Sequence, residues 1–234
     1  MIIDAHTHIG LDKDGTKQSI VELKTRMSEC GITSSVVFPF DTKGDLIAAS
    51  LDLLKHKSES IIPFLRFDPK STRPEDVRLL LGRGFAGVKL HPRSQNFDPL
   101  DKRYNGIFAE IESSGKPLLV HTRKESTPYS DPDRVVLLAD DFPQLNIIIG
   151  HFAYASTTAM DYIKTHRNLF LETSIMSNSR LIGEAVDRLG HTKIIFGSDA
   201  PMSDQGAELQ KVKEANLDKS TEEGILWKNL SSLL

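Results

Sequence analysis

The stretch Met1–Gly10, MIIDAHTHIG, decides the fold. Its apolar, β-branched start reads as a strand close to the amino terminus, and that strand runs straight into His6 and His8. An open doubly wound sheet would carry a glycine-rich phosphate loop of the GxGxxG kind after its first strand. Here AHTHIG (5–10) stands in that place, which counts against the open sheet. Side chains two apart on a strand point to the same side, so His6 and His8 share one face and Thr7 turns to the other.

Working outward, seven further runs have the same character: SSVVFPF (34–40), IIPFLRF (61–67), AGVKL (86–90), PLLVH (117–121), NIIIG (146–150), NLFLE (168–172) and KIIFG (193–197). Continuous apolar runs of this length are what strands covered on both faces look like. Between them lie stretches of helical period, such as Ile20, Leu23 and Met27, or Leu181, Ile182, Ala185, Val186 and Leu189. Gly31, Gly115 and Gly190 fall where left-handed residues end helices, while Asp131–Pro132 and Pro74 mark helix starts. Eight strand–helix units in 234 residues, about 29 each, predict a (β/α)8 TIM barrel, an α/β fold in one domain spanning 1–234.

A net charge of −3 with both signs interspersed offers no basic stripe for nucleic acid and no lysine cluster for a membrane surface. There is no apolar stretch of transmembrane length and no signal-peptide pattern ahead of Asp4, so a cytoplasmic location is the expectation. The single cysteine, Cys30, excludes an internal disulfide or a multi-thiolate metal site and reads as a small filler at a helix end. The chemistry must therefore use His, Asp, Lys and Arg.

In such a barrel the site lies at the carboxyl ends of the strands. Those positions are His6 and His8; Arg66 and Asp68; Lys89 and His91; His121 and Arg123; and finally His151, Glu172 and Asp199. Random placement would put about one histidine there, whereas five of the eight are found. His56, His166 and His191 fall beside helices and are given no role, and Trp227 reads as core. The glycines of LGRGFAG (81–87) precede a strand, so they read as a turn.

Taken in order, DAHTH (4–8), GVKLHP (87–92), LLVHT (118–122), IIIGHF (147–152) and IIFGSDAP (194–201) resemble the amidohydrolase superfamily, in particular its amidohydrolase-related (amidohydrolase 2) branch of metal-dependent barrel hydrolases and decarboxylases. The terminal ILWKNLSSLL (225–234) is similar to that branch's closing helix. The resemblance implies His6, His8 and His121 as metal ligands. It implies Asp199 as the carboxylate that binds the metal, takes a proton from its water, or both. It implies His151 as a catalytic residue that polarises substrate or ligates a second ion.

Three neutral imidazoles and a carboxylate leave an open position on Zn²⁺, the expected ion, or Mn²⁺, its alternative, and such an ion lowers the pKa of its water to about 7. One ion is expected, with Lys89, His91 and Arg123 on the substrate side. Two ions bridged by a carboxylated Lys89 are the alternative, and a buried Lys89 paired with Asp68 or Glu172 is the structural one. Arg66, Lys89, Arg93, Arg123 and Lys124 place positive charge on the site face, which suits a small-molecule carboxylate substrate. The expected activity is hydrolysis of an ester, lactone or amide. Decarboxylation of a small unsaturated or aromatic acid is the runner-up, and a non-catalytic metal-binding barrel is the third possibility. The strand–helix connections are brief and show no inserted lid, so the pocket is expected to be open or completed across a homodimer.

Overall fold

The computed structural model describes residues 1–40, 44–124 and 128–234. Among them every predicted run contains a strand: β1 (Ile3–Leu11), β3 (Ser34–Pro39), β4 (Ile61–Leu65), β5 (Gly87–Leu90), β6 (Leu118–Val120), β7 (Ile147–Ile149), β8 (Leu169–Glu172) and β9 (Ile194–Ile195). The pair Lys17–Gln18 adds a short β2 that the sequence did not announce, folded back antiparallel on the end of β1. The order is β2-β1-β3-β4-β5-β6-β7-β8-β9, and every pairing other than β1 with β2 is parallel.

The sheet closes on itself through β1 and the segment after β9. Ala5 N–H donates to Phe196 O at 3.0 Å, His8 N–H to Ala200 O at 2.8 Å, and Asp199 N–H to His6 O at 2.8 Å. Thr7 and Ala200 form the matching parallel bridge. The chain is therefore a closed barrel of eight parallel strands, as predicted, and its seam runs through the backbone of the residues that carry the site.

Alternation explains why the runs are apolar throughout. Val36, Phe38, Phe64, Leu119, Ile148, Phe170 and Ile195 pack together with Ile3 and Ala5 inside the barrel. Their neighbours Val37, Leu65, Val88, Leu118, Ile147, Leu171 and Ile194 pack outward with helix residues such as Leu23, Val77, Ile111, Ile163 and Ile182. Each such side chain contributes about 1.5–3 kcal/mol when fully buried. Strict alternation from Ile3 and Ala5 would put Thr7 inside. A register shift between Asp4 and Thr7 reverses the facing, so His6 and His8 turn inward and Thr7 Oγ1 donates outward to Val36 O at 2.7 Å.

The helix signals hold in part. The helix Ile20–Cys30 opens with a Ser19/Glu22 capping box and ends at Gly31 with φ 72°. Asp131 caps the helix that starts at Pro132, although it runs only to Val135. Gly190 has positive φ (82°) but ψ 143°, which turns the chain outward instead of giving the left-handed helix end that was expected. No helix among the described residues is long and apolar enough to cross a membrane.

Candidate metal centre

Three of the four expected metal ligands converge on one point. His6 Nε2 lies 3.1 Å, and His8 Nε2 3.0 Å, from the same Asp199 Oδ1. The fourth, His121, stands one step further out, with Nδ1 2.8 Å from His151 Nε2 and its ring stacked on His91 at 3.6 Å between centroids. His151 itself enters the inner group: ligand atoms of His6, His151 and Asp199 lie within 4.8 Å of one another, close enough to hold one metal ion. Imidazole nitrogens with a carboxylate oxygen are the donor set that zinc and manganese accept. His8 Nδ1 and His121 Nε2 are buried with no hydrogen-bond partner among the described residues.

Lys89 is fully buried, with Nζ 3.1 Å from His6 Nε2 and 5.1 Å from the centroid of the Phe38 ring. Neither acid expected as an ion-pair partner bonds Lys89 directly: Asp68 pairs with Lys70 at 3.7 Å, and the Glu172 oxygens accept from His6, His151 and Ser174. His91 spends Nδ1 on the backbone N–H of Ser94, capping the helix Pro92–Gln95. Arg123 is exposed at the cavity wall, whereas Arg66 is 1% exposed there, with Nη1 donating to Pro39 O at 2.9 Å.

Two buried acids that the sequence left without a ligand-supporting role hold this group in place. Glu172 Oε2 accepts from His6 Nδ1 at 3.1 Å, His151 N at 3.0 Å and Ser174 Oγ at 2.9 Å, while Oε1 accepts from Ser174 N at 2.6 Å. Asp4 accepts from His6 N at 3.0 Å, Ser198 N at 2.9 Å, Ser198 Oγ at 2.6 Å and Gln205 Nε2 at 2.8 Å. Asp4 thereby ties β1 to the segment carrying Asp199 across the seam. A signal for both was present: each is a charged residue set in an apolar run directly beside a candidate ligand or strand end.

Electrostatics follow from burial opposed by partners. Burial alone would raise Asp199, but the His6 and His151 imidazoles and hydrogen bonds from His6 and His8 hold it well below the usual carboxylate range. Glu172 is likewise lowered despite burial, chiefly by its hydrogen bond from His6. Burial pulls Lys89 down to about 7, His151 to about 4 and His8 to about 3, and it lifts Asp4 to about 6. His6 is the exception: burial and Lys89 would lower it, but Asp199 and the hydrogen bonds to Asp199 and Glu172 raise it, so a proton on Nε2 has to leave before that atom can take a metal ion.

The backbone at the site is strained. His151 to Ala155 all have φ between 46° and 54°, a left-handed turn without a glycine, and Ile175 (65°) and Asp199 (64°) also lie in that region. These residues follow β7, β8 and β9, and His151, Tyr154, Ile175 and Asp199 all line one cavity of about 580 Å³. Lys13, Arg66, Lys89, Arg93 and Arg123 line it too, with Asp12 and Asp14, and with Phe40 and Met202 as apolar wall. Lys124 turns aside to Asp133 at 3.5 Å.

Several solved structures share this fold. The 5-carboxyvanillate decarboxylase of Sphingomonas paucimobilis superposes with a TM-score of 0.82 at 13% identity, over 99% of this chain and 98% of that one. A protein assigned as a 2-pyrone-4,6-dicarboxylic acid hydrolase from Pseudomonas putida gives 0.79 at 14% identity, over 99% and 96%. A dihydroxybenzoic acid decarboxylase from a Polaromonas species, solved with bound manganese and 2-nitroresorcinol, gives 0.78 at 15% identity, over 99% and 96%. No protein of curated function matches the chain in sequence. The amidohydrolase family model, however, matches residues 3–229 in one piece, taking in β1 with its two histidines and the closing segment with Asp199, and the chain belongs to that family.

Proposed function

We propose that the protein is a metal-dependent hydrolase that cleaves an ester, lactone or amide bond in a small carboxylate. The observation that carries this is that His6 Nε2 and His8 Nε2 each lie within 3.1 Å of Asp199 Oδ1, beside a cavity whose lining includes the buried cations Arg66 and Lys89. His6, His8, His121 and Asp199 would hold one divalent ion, zinc first and manganese second. When bound, that ion supplies Lewis acidity and makes a water acidic enough to react near neutral pH.

The chain's own groups do the rest. Asp199, ionised at the centre, accepts the proton of the attacking water and returns it to the leaving oxygen or nitrogen, so the proton count closes. His151 donates Nδ1–H to Ser174, which leaves Nε2 to accept from His121 Nδ1–H 2.8 Å away and so to orient the His121 ring. The substrate-polarising role expected for His151 needs a proton on Nε2, so the task of stabilising the oxyanion passes to Lys89, whose Nζ lies beside His6. Arg66, buried and always charged, and Arg123, at the wall, anchor the substrate carboxylate.

Decarboxylation is the second reading, favoured by the same cations and by the decarboxylases among the fold's neighbours. Elemental analysis of protein purified without chelator or affinity-column metal tests the centre. Near one equivalent of zinc or manganese supports the proposal; two equivalents would promote Lys89 to a bridging ligand, and none would remove the metal. A panel of esters, lactones, amides and carboxylic acids then separates the reactions, because only the lyase releases CO₂. Tight binding of acids with no turnover on any class would leave a non-catalytic metal-binding barrel.

A further inference from the structure

Glu172 and Ser174 line none of the cavity, yet their hydrogen bonds decide which nitrogen of two imidazoles carries a fixed proton. The ionised Glu172 carboxylate can only accept. Its contact with Ser174 Oγ, at 2.9 Å, therefore uses the one hydroxyl proton. Ser174 Oγ must then accept from His151 Nδ1, 2.9 Å away, so His151 carries its proton on Nδ1. The same Glu172 Oε2 accepts from His6 Nδ1 at 3.1 Å, which puts the His6 proton on Nδ1 as well. His151 N–H, also on Oε2 at 3.0 Å, fixes the start of the left-handed turn relative to the same carboxylate.

We infer that Glu172 and Ser174 are a positioning pair: one buried carboxylate fixes a proton on Nδ1 of His6 directly and on Nδ1 of His151 through the Ser174 hydroxyl, so that Nε2 is the atom each ring keeps for other partners. Because Nδ1–H of each ring is committed, neither imidazole needs to reorganise when an ion or a substrate arrives. The pair serves two functions from one point. His6 is made a ligand, and His151 is made a hydrogen-bond acceptor. The use to which the Nε2 atoms are put rests on the metal-dependent reading above; the placement of the Nδ1 protons does not.

The test separates these. Long-range ¹H–¹⁵N correlation spectra of the metal-free wild-type protein, with His6→Gln and His151→Gln used only for assignment, should show Nδ1 protonated in both rings. Either ring with a bare Nδ1 overturns the inference, whatever the metal content. In Ser174→Ala, His151 should lose its fixed tautomer while His6 keeps it; in Glu172→Gln both should change. Competition with a chromogenic chelator should show Mn²⁺ affinity falling about 10–100-fold in Glu172→Gln, and less than threefold in Ser174→Ala. Ser174→Thr, which retains the hydroxyl, should restore the His151 signal. If Ser174→Ala leaves His151 unchanged, the relay is wrong. If wild type binds no divalent ion but shows both Nδ1–H rings, the metal reading fails and the positioning pair stands.

Discussion

The space where Gly197 would carry a Cβ is occupied by the Glu172 side chain. A Cβ built there lies 2.9 Å from Glu172 Cγ and closer still to the carboxylate. Gly197 follows β9 and Glu172 ends β8, so the pair marks where two neighbouring strands run out beneath the site. The absent methyl lets a full carboxylate stand inside the barrel and reach both His6 and His151.

Gly197→Ala should therefore act on the centre, although it adds only one methyl group. Overpacking of this kind costs about 1–3 kcal/mol, and the displaced carboxylate releases His6. Urea unfolding should show that loss, and Mn²⁺ titration should show weakened binding. Full affinity together with wild-type stability would mean that Glu172 can move without consequence.

Gly87→Ala is the matching control, since its Cβ would strike the Phe64 ring, away from any candidate ligand. It should lower stability by a similar amount, about 1–3 kcal/mol, yet leave metal content per folded molecule unchanged. A drop in metal content there would show that bound ion reports on stability alone.

Replacing the imidazoles one at a time sorts their roles. His8→Ala and His121→Ala should both lose bound metal on elemental analysis, while His151→Ala should keep it and lose turnover. Retention of metal by His121→Ala with loss in His151→Ala would move the ligand set to His6, His151 and Asp199, which already lie within 4.8 Å of one another.

Much of this was legible in the sequence, for reasons that differ by element. Each apolar run from Ser34 to Glu172 announced its strand because both faces are covered, one by the interior and one by helices. His6, His8 and Asp199 could be grouped because strand ends meet at one face of a barrel. The inward turn of His6 could not be read from alternation, since it depends on a register shift made against Ser34–Pro39 and on a seam with residues 196–200. Glu172 was visible as a strand end, but its partners come from β1 and from the turn after β7. The left-handed course of HFAYA (151–155) had no signal at all, because no glycine marks it.

Arg66 and Arg123 make a graded prediction about substrate charge. Arg123→Ala should raise KM for an acid more than for its neutral amide or ester, and Arg66→Met should do so more strongly, because its guanidinium is buried at the cavity. Equal effects on charged and neutral substrates would remove the carboxylate from the proposal.

Ala153, at φ 46° and ψ 28°, lies in the middle of the left-handed turn with its side chain buried. L-residues pay roughly 1–2 kcal/mol for that conformation, whereas glycine does not. Ala153→Gly should raise the unfolding midpoint, and a lower midpoint would show that the alanine methyl's packing outweighs the backbone cost.

That turn also bears on how such a barrel responds to selection. Screened only for heat resistance, a library of variants should enrich glycine between 152 and 155; screened for turnover, it should keep the present residues wherever they aim His151 and Tyr154 into the cavity. A sequence that drifts towards glycine there would be one whose barrel is being kept for something other than its chemistry.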